Sequence, residues 1–332
     1  MTTLEGGPVP VVVQGLGLLG RTAVELCAGT PGVELVAVVT RRPEAAAGLP
    51  DGVVALADLG AAGRAFPGAL VLSTVHALDE ELADVLAEAA RAGLDIVTSS
   101  GLFHPASQLG DCGAALDAVA REHAVRILAS GVQPGFVLDV LPAAVLDLAP
   151  GWTAVDVVKP SDARSWPVST RHMLGMGEAP EVVASSVPYP LAASAHLIAR
   201  AVGRPVVELR ESRVAETLDR ELVLADESIP AGKAVGFTHE CVAELEGGRR
   251  VRVCWQPTLA ATDETDLSLR LEATGGAELT MRLDGSFRRD PYPATAARML
   301  HTAVRGRSLP AGLHLAVTPG LAWGGQLASE DR

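Results

Sequence analysis

A compact β-branched run, Val11–Gln14, ends directly on Gly15-Leu16-Gly17-Leu18-Leu19-Gly20, and a helical run, Leu18–Ala28, leaves from the same glycines. A strand, G-x-G-x-x-G and a helix inside a βαβ unit of about thirty residues form the arrangement that binds dinucleotides. Each glycine has its own reason. Gly15 permits the tight turn, Gly17 lets the backbone approach a pyrophosphate, and Gly20 lets the helix pack closely on the strand. The backbone amides of Leu18, Leu19 and Gly20, at the helix N-terminus, then face the anion. An ordinary strand-to-helix turn would not need all three.

The end of the next strand, Glu34–Val39, selects among dinucleotides. NAD sites place a carboxylate there to hold the ribose 2′-hydroxyl. This chain instead reads Thr40-Arg41-Arg42. Two guanidiniums and a hydroxyl suit a 2′-phosphate, so NADP(H) is the expected cofactor. Two further segments fall at carboxyl ends of strands, where parallel sheets bind ligands: Ser73-Thr74-Val75-His76 and Thr98-Ser99-Ser100-Gly101. Small hydroxyl residues there let a nicotinamide ribose approach.

Up to about residue 130 the chain alternates strands and helices. After the elements above come strands at Val53–Leu56, Ala69–Ser73, Ile96–Thr98 and Val125–Leu128, with helices at Asp79–Ala92 and Ala114–His123. This alternation predicts a doubly wound parallel sheet, a Rossmann domain. Ala154–Val158 is then a strand and Leu191–Val202 a helix. Period-two alternation takes over at Val206–Val214, Phe237–Leu245, Arg249–Trp255, Leu267–Ala273 and Glu278–Leu283. Glu246-Gly247-Gly248 and Thr274-Gly275-Gly276 mark hairpin turns. The expected fold class is α/β: an N-terminal Rossmann domain and a second, α+β domain with a mostly antiparallel sheet. The expected boundaries are 1–130, completed by 293–332 through the helix Pro293–Val304, and 131–292 for substrate binding and dimerisation.

Composition narrows the function. At 48% hydrophobic residues and mean hydropathy +0.27, the chain has ample apolar surface for cores. No apolar run is long enough to span a membrane. Forty acids against 27 bases give a net charge of -13, which repels nucleic-acid backbones. Cys27, Cys112, Cys241 and Cys254 show no metal-ligand spacing and read as reduced thiols of a cytoplasmic protein.

The segment Gly131-Val132-Gln133-Pro134-Gly135-Phe136-Val137-Leu138-Asp139 resembles the G-V-N-P-G-F-x-x-D motif of 2,4-diaminopentanoate dehydrogenases and native amine dehydrogenases, within the dihydrodipicolinate reductase-like group. Leu174-Gly175-Met176-Gly177 resembles the family's I-G-x-G segment, and Pro319-Gly320-Leu321 its C-terminal P-G-L. Gln133 stands where the family usually has Asn. The resemblance implies a Rossmann domain with an α/β substrate domain that helps form a dimer. It also implies NAD(P)-dependent interconversion of amines with ketones or imines. Pro134 and Gly135 are expected to form a rigid turn beside the cofactor, with Asp139 one turn into the following helix. A carboxylate there equally suits the helix dipole.

One departure matters. The family carries a Glu soon after the strand matching Ile96–Thr98, and the corresponding residue here is Gly101. No carboxylate occurs between Asp95 and Asp111. Amination with free ammonia therefore loses its expected base, and reduction of a preformed imine is favoured. Protonating the nitrogen needs a general acid. Candidates are His104 in the strand-end loop, Lys159, which resembles a proton-donating lysine of dihydrodipicolinate reductases, and Asp139. Trp166, Arg171, His172, Met173 and Met176 are candidate substrate contacts, although core packing and solvated loops account for such residues too. The expected function is an NADPH-dependent oxidoreductase acting on C=N or C–NH2 bonds of a small amine, imine or ketone. The alternatives are a C=C reductase of dihydrodipicolinate type and a catalytically silent NADP-binding sensor. A homodimer is expected, because Val251, Val253 and Trp255 alternate with polar neighbours and call for cover on their face.

Overall fold

The computed structural model describes residues 7–76, 79–100, 102, 112–186 and 191–315. These fall into two compact units, one running to Gly135 and resuming at Tyr292, the other spanning Phe136–Pro291.

The first unit is built from β1 (Val9–Gln14), α1 (Leu18–Ala28), β2 (Val33–Val39), β3 (Val54–Leu56), α2 (Leu59–Ala65), β4 (Leu70–Ser73), α3 (Asp79–Arg91), β5 (Asp95–Thr98), α4 (Cys112–Glu122) and β6 (Arg126–Ala129). Its seven-stranded sheet runs in the order β15-β6-β5-β4-β1-β2-β3, with β15 (Gly312–His314) on the outer edge, and every pairing is parallel. This is the expected Rossmann sheet. Val11, Val13, Leu70, Leu72, Val97 and Leu128 point to one face and pack against Ala23, Val24 and Cys27 of α1. Ala296, Met299, Leu300 and Ala303 of the long last helix (Tyr292–Gly306) close the same layer. The strand order reverses between β1 and β4, so the carboxyl ends of those two strands flank the switch point where such sheets take ligands.

The sequence pattern did not show α2, whose Gly60 and Gly63 are poor helix formers. Its ends are fixed from outside. Asp58 caps it, accepting from the Ala61 amide at 2.6 Å, and Glu88 of α3 accepts from the Leu59 amide at 3.0 Å. A Cβ at Gly63 would lie 2.3 Å from the Ala92 carbonyl, so only glycine allows α2 this close to the end of α3.

The second unit opens with α5 (Val140–Val145) and β7 (Ala154–Asp162), then α6 (Val168–Met173), α7 (Pro180–Ser186) and α8 (Ala192–Ala201). The strands β8 (Val206–Thr217), β9 (Leu222–Val223), β10 (Ser228–Ile229), β11 (Ala234–Leu245), β12 (Arg249–Thr258), β13 (Leu269–Thr274) and β14 (Leu279–Leu283) follow. The last helix, now α9, returns the chain to the first unit. Six strands form one sheet in the order β14-β13-β7-β12-β11-β8. It is mixed: β7 lies parallel to β12, while the other pairs are antiparallel. Gly247 and Gly248, both at positive φ, make the β11–β12 hairpin, and Gly275 and Gly276 that of β13–β14.

Register corrects one reading. Val251, Val253 and Trp255 are buried within the unit itself, on the face that α8 covers, so they do not call for a partner. Cys241 pairs with Val253, and Cys254 with Glu240, so the two thiols point to opposite faces and cannot join. All four cysteines are free.

Candidate functional site

The glycine turn has the geometry its sequence demands. Gly15 sits at φ +90°, a conformation side chains rarely adopt. A Cβ on Gly20 would fall 2.0 Å from the Gly15 carbonyl oxygen, so the helix can start this close to β1 only with glycine there. Thr74 pins the turn from β4, its hydroxyl donating to the Gln14 carbonyl at 2.9 Å with the Gly15 carbonyl at 3.2 Å. Gly17 has open space where a side chain would stand, and no side chain caps α1. The first amides of α1, those of Leu18 and Leu19, are therefore left for an anion, while Leu16 is buried beneath them.

Among the described residues, two polar atoms beside this turn lack partners. Gln14 Oε1 and Ser73 Oγ are buried without a hydrogen bond, at paired positions on the carboxyl ends of β1 and β4. Buried polar groups rarely stay unsatisfied, and a polar ligand at this end would satisfy them. Ser100 joins the strand ends, its hydroxyl donating to the Val75 carbonyl at 3.0 Å, and the Ser99 amide continues the ladder to Ser73. Past β2, the Thr40 hydroxyl accepts from the Arg42 amide at 3.2 Å, and both Arg41 and Arg42 are exposed. Arg21 of α1, which sequence reading passed over, donates to the Ala45 carbonyl at 3.1 Å. These features fit a dinucleotide. Gly101 and His104 lie outside the described residues. Pro134 and Gly135 occupy a turn in which Gly135 is at φ +117° and the Pro134 carbonyl abuts Gly131.

In the second unit the polar candidates divide by their partners. Asp139 is fully buried and caps α5, accepting from the Val140 amide at 2.6 Å and the Ser194 hydroxyl at 3.0 Å. Arg171 is also fully buried, between the carboxylates of Asp226 and Glu227. His172 contacts the same Glu227 at 2.9 Å, so these residues fasten the α6 loop to the β9–β10 hairpin. Met176 is buried in the core and Met173 is partly exposed. His239, with no exposed surface, pairs with Glu211 at 2.6 Å. Burial holds the imidazole below its usual pKa, against the pull of Glu211.

Lys159 differs from all of these. It is 4% exposed, and its Nζ donates to Ser161 Oγ at 2.8 Å. Burial lowers its pKa from 10.5 to about 7. Trp255 Nε1 reaches the same hydroxyl at 3.2 Å. Trp166 stacks at a tilt on Trp255, with ring centroids 5.9 Å apart, and Phe237 meets Trp255 edge-on at 5.3 Å. The Trp166 indole N–H is buried without an acceptor among the described residues. Sequence reading picked out Lys159 and Trp166 but missed Ser161 and Trp255. The signal was present: Lys159 and Ser161 share the inward parity of Val155 and Val157 on β7.

No family model matches the chain. An amine dehydrogenase of Streptomyces virginiae is 29% identical over 234 residues, 64% of this chain and 64% of that protein. The chain is thus similar in sequence to an amine dehydrogenase. It matches less than two thirds of that relative's length. Among solved structures, an amine dehydrogenase from Mycobacterium smegmatis superposes with a TM-score of 0.81 at 16% identity, covering 93% of this chain and 95% of that one. GenD2 from gentamicin A biosynthesis, in complex with NAD, gives 0.58 at 15% identity over 91% and 88%. Biliverdin reductase from Synechocystis, in complex with biliverdin and NADP+, gives 0.54 at 15% identity over 94% and 93%. These structural likenesses are of fold. The fold holds NAD in one neighbour and NADP+ in another, so the amine dehydrogenase relationship alone does not choose between them.

Proposed function

We propose that this protein is an NADPH-dependent oxidoreductase acting on C=N and C–NH2 bonds of a small amine, imine or ketone, an imine reductase or amine dehydrogenase in type. The identity with the Streptomyces amine dehydrogenase carries the reading. The glycine turn of β1 and α1 holds the pyrophosphate, and Arg41, Arg42 and Thr40 hold the 2′-phosphate. Ser73, Thr74, Val75, Ser99, Ser100 and Pro134 with Gly135 border the nicotinamide end. The reduced nicotinamide, when bound, supplies a hydride to carbon. Lys159 exchanges the proton at nitrogen, since an amine with a pKa of about 7 is present in both forms at neutral pH. Trp166 lines the substrate, with His172 and Met173 on the adjoining α6 loop. Arg171 and Asp139 hold that architecture through the bonds described above.

Loss of NADPH absorbance against cyclic imines, and against ketones with amines, tests the proposal. Imine turnover well above ketone amination with free ammonia is the expected result. Tight NADPH binding without turnover of any of them would replace the oxidoreductase with a sensor. We also place the protein in the cytoplasm and propose a homodimer through the sheet face opposite α8. There Val158 and Val242 are partly exposed among the Arg252–Glu240 and Arg252–Asp156 ion pairs. A monomer by light scattering at micromolar concentration would contradict the assembly.

A further inference from the structure

Lys159, Trp255 and His239 form one row across adjacent strands β7, β12 and β11, on the buried face of the sheet. The other buried charged side chains and histidine described in this unit have charged or capping partners. Arg171 has two carboxylates, His239 has Glu211, Asp162 has Arg164, and Asp139 accepts an amide and a hydroxyl. Among the described residues Lys159 has only the hydroxyl of Ser161. Ser161 Oγ accepts from both Lys159 Nζ and the Trp255 indole N–H, so the amine is buried against a neutral acceptor with no counter-ion among the described residues. Beside it, Trp166 presents a buried donor that no described residue satisfies. An amine buried without a counter-ion and an unspent N–H donor, both next to the Trp255 ring, suit a carbonyl group, which needs a nucleophile at carbon and a donor at oxygen.

We propose that Lys159 is a carbonyl-condensing amine, whose Nζ adds to an aldehyde or ketone carbon seated against Trp166 and Trp255. This rests on the amine–carbonyl chemistry proposed above and supplies the imine on which that chemistry acts. The Nζ lone pair forms the C–N bond as the C=O π pair moves to oxygen, which Trp166 Nε1 receives. A proton passes from Nζ to that oxygen. Loss of the hydroxyl as water leaves the lysine imine. Ammonia or a primary amine then adds to the same carbon and expels Nζ, regenerating the free amine. The net change is carbonyl plus amine to imine plus water, with no change of oxidation state. The titratable groups near Lys159 are His239 with Glu211, from β11 and β8, and His196, from α8 packed over the strands. Burial alone acts on the Lys159 pKa.

The chain contains two lysines, Lys159 and Lys233, which makes the test direct. The protein is treated with benzaldehyde and sodium cyanoborohydride at pH 7, without nicotinamide cofactor, and benzylated peptides are mapped by mass spectrometry. At pH 7 about half of Lys159 is uncharged, against roughly four in ten thousand of an ordinary lysine. Lys159 is expected to label about tenfold faster than Lys233, after allowance for its burial. Between pH 7 and 9 its rate should rise only about twofold, while that of Lys233 rises about a hundredfold. The K159R variant should lose the first product and keep the second. Lys159 left unlabelled, labelled more slowly than Lys233, or accelerating a hundredfold with pH would overturn the proposal. Labelling needs no turnover, so a protein that labels at Lys159 yet oxidises no NADPH supports this inference and counts against the oxidoreductase reading alone.

Discussion

Replacing Lys159 by Met should stabilise the protein at neutral pH and change how stability depends on pH. The folded pKa of about 7 lies below the unfolded value of 10.5. Between those values the unfolded chain holds a proton that the fold does not, so this residue's contribution rises with pH and its cost vanishes above 10.5. The full span is 3.5 pH units at about 1.36 kcal/mol each, or about 5 kcal/mol. Integrating the two titrations gives a cost of about 4 kcal/mol at pH 7.5 and about 2.7 kcal/mol at pH 8.5. Three buried thiols work the other way. Burial pushes Cys27 and Cys241 to about 12 and Cys254 to about 11, so each loses stability as pH climbs through the range where an unfolded thiol ionises. The unmodified protein alone can therefore show a flat profile. The thiols cancel in the difference between K159M and the unmodified protein. That difference should favour K159M by a few kcal/mol at pH 7.5 and shrink by about 1.2 kcal/mol at pH 8.5. Urea unfolding followed by tryptophan fluorescence measures both. A variant less stable than the parent at both pH values, or a difference that ignores pH, would show that Lys159 is charged in the fold and refute the reasoning.

Exchanging both Arg41 and Arg42 for Ala should erase a preference for NADPH over NADH of at least about tenfold, about 1.4 kcal/mol, read as the ratio of dissociation constants from fluorescence titration. G20A forces a methyl onto the Gly15 carbonyl and should cost about 3 kcal/mol, with NADPH no longer raising the melting temperature. R171M takes the guanidinium partner from partly buried Glu227, leaving it only His172 among the described residues, and should cost about 3 kcal/mol in urea unfolding, a loss that a buried methionine side chain recovers only in part.

Local signals were legible wherever the backbone needs a particular residue. The β1–turn–α1 unit could be read from three glycines, and both hairpins from paired glycines at positive φ. Strands of the first sheet announced themselves because parallel strands are buried on both faces and read as apolar runs. What failed to show was set by distant contacts. α2 depends on Glu88 and on the close passage of Ala92, neither of which its own sequence reveals. The parallel pairing of β7 with β12 joins Ala154–Asp162 to a strand about ninety residues later, a choice no local pattern encodes. Alternation in Arg249–Trp255 correctly placed Val251, Val253 and Trp255 on one face but could not say that α8 of the same unit covers it.

The polar residues of the site divide on the same ground. Asp139, Arg171 and Lys159 are each striking in sequence because a charge interrupts an apolar context, and sequence treats them alike. Structure separates them by what neutralises the charge. Two amide and hydroxyl donors around Asp139 stabilise its carboxylate in place, and two carboxylates do the same for Arg171. A group so matched resists any change of protonation or partner, which suits architecture. Lys159 is matched only by a neutral hydroxyl that a tryptophan already engages, so its charged form is disfavoured and its lone pair is available near neutral pH. A methionine would fill the same volume without that cost, so an amine retained in this row is better explained by chemistry than by packing. With Gly101 where the resembled family has a carboxylate, we propose this amine for proton exchange and, through its lone pair, for the making of the imine itself.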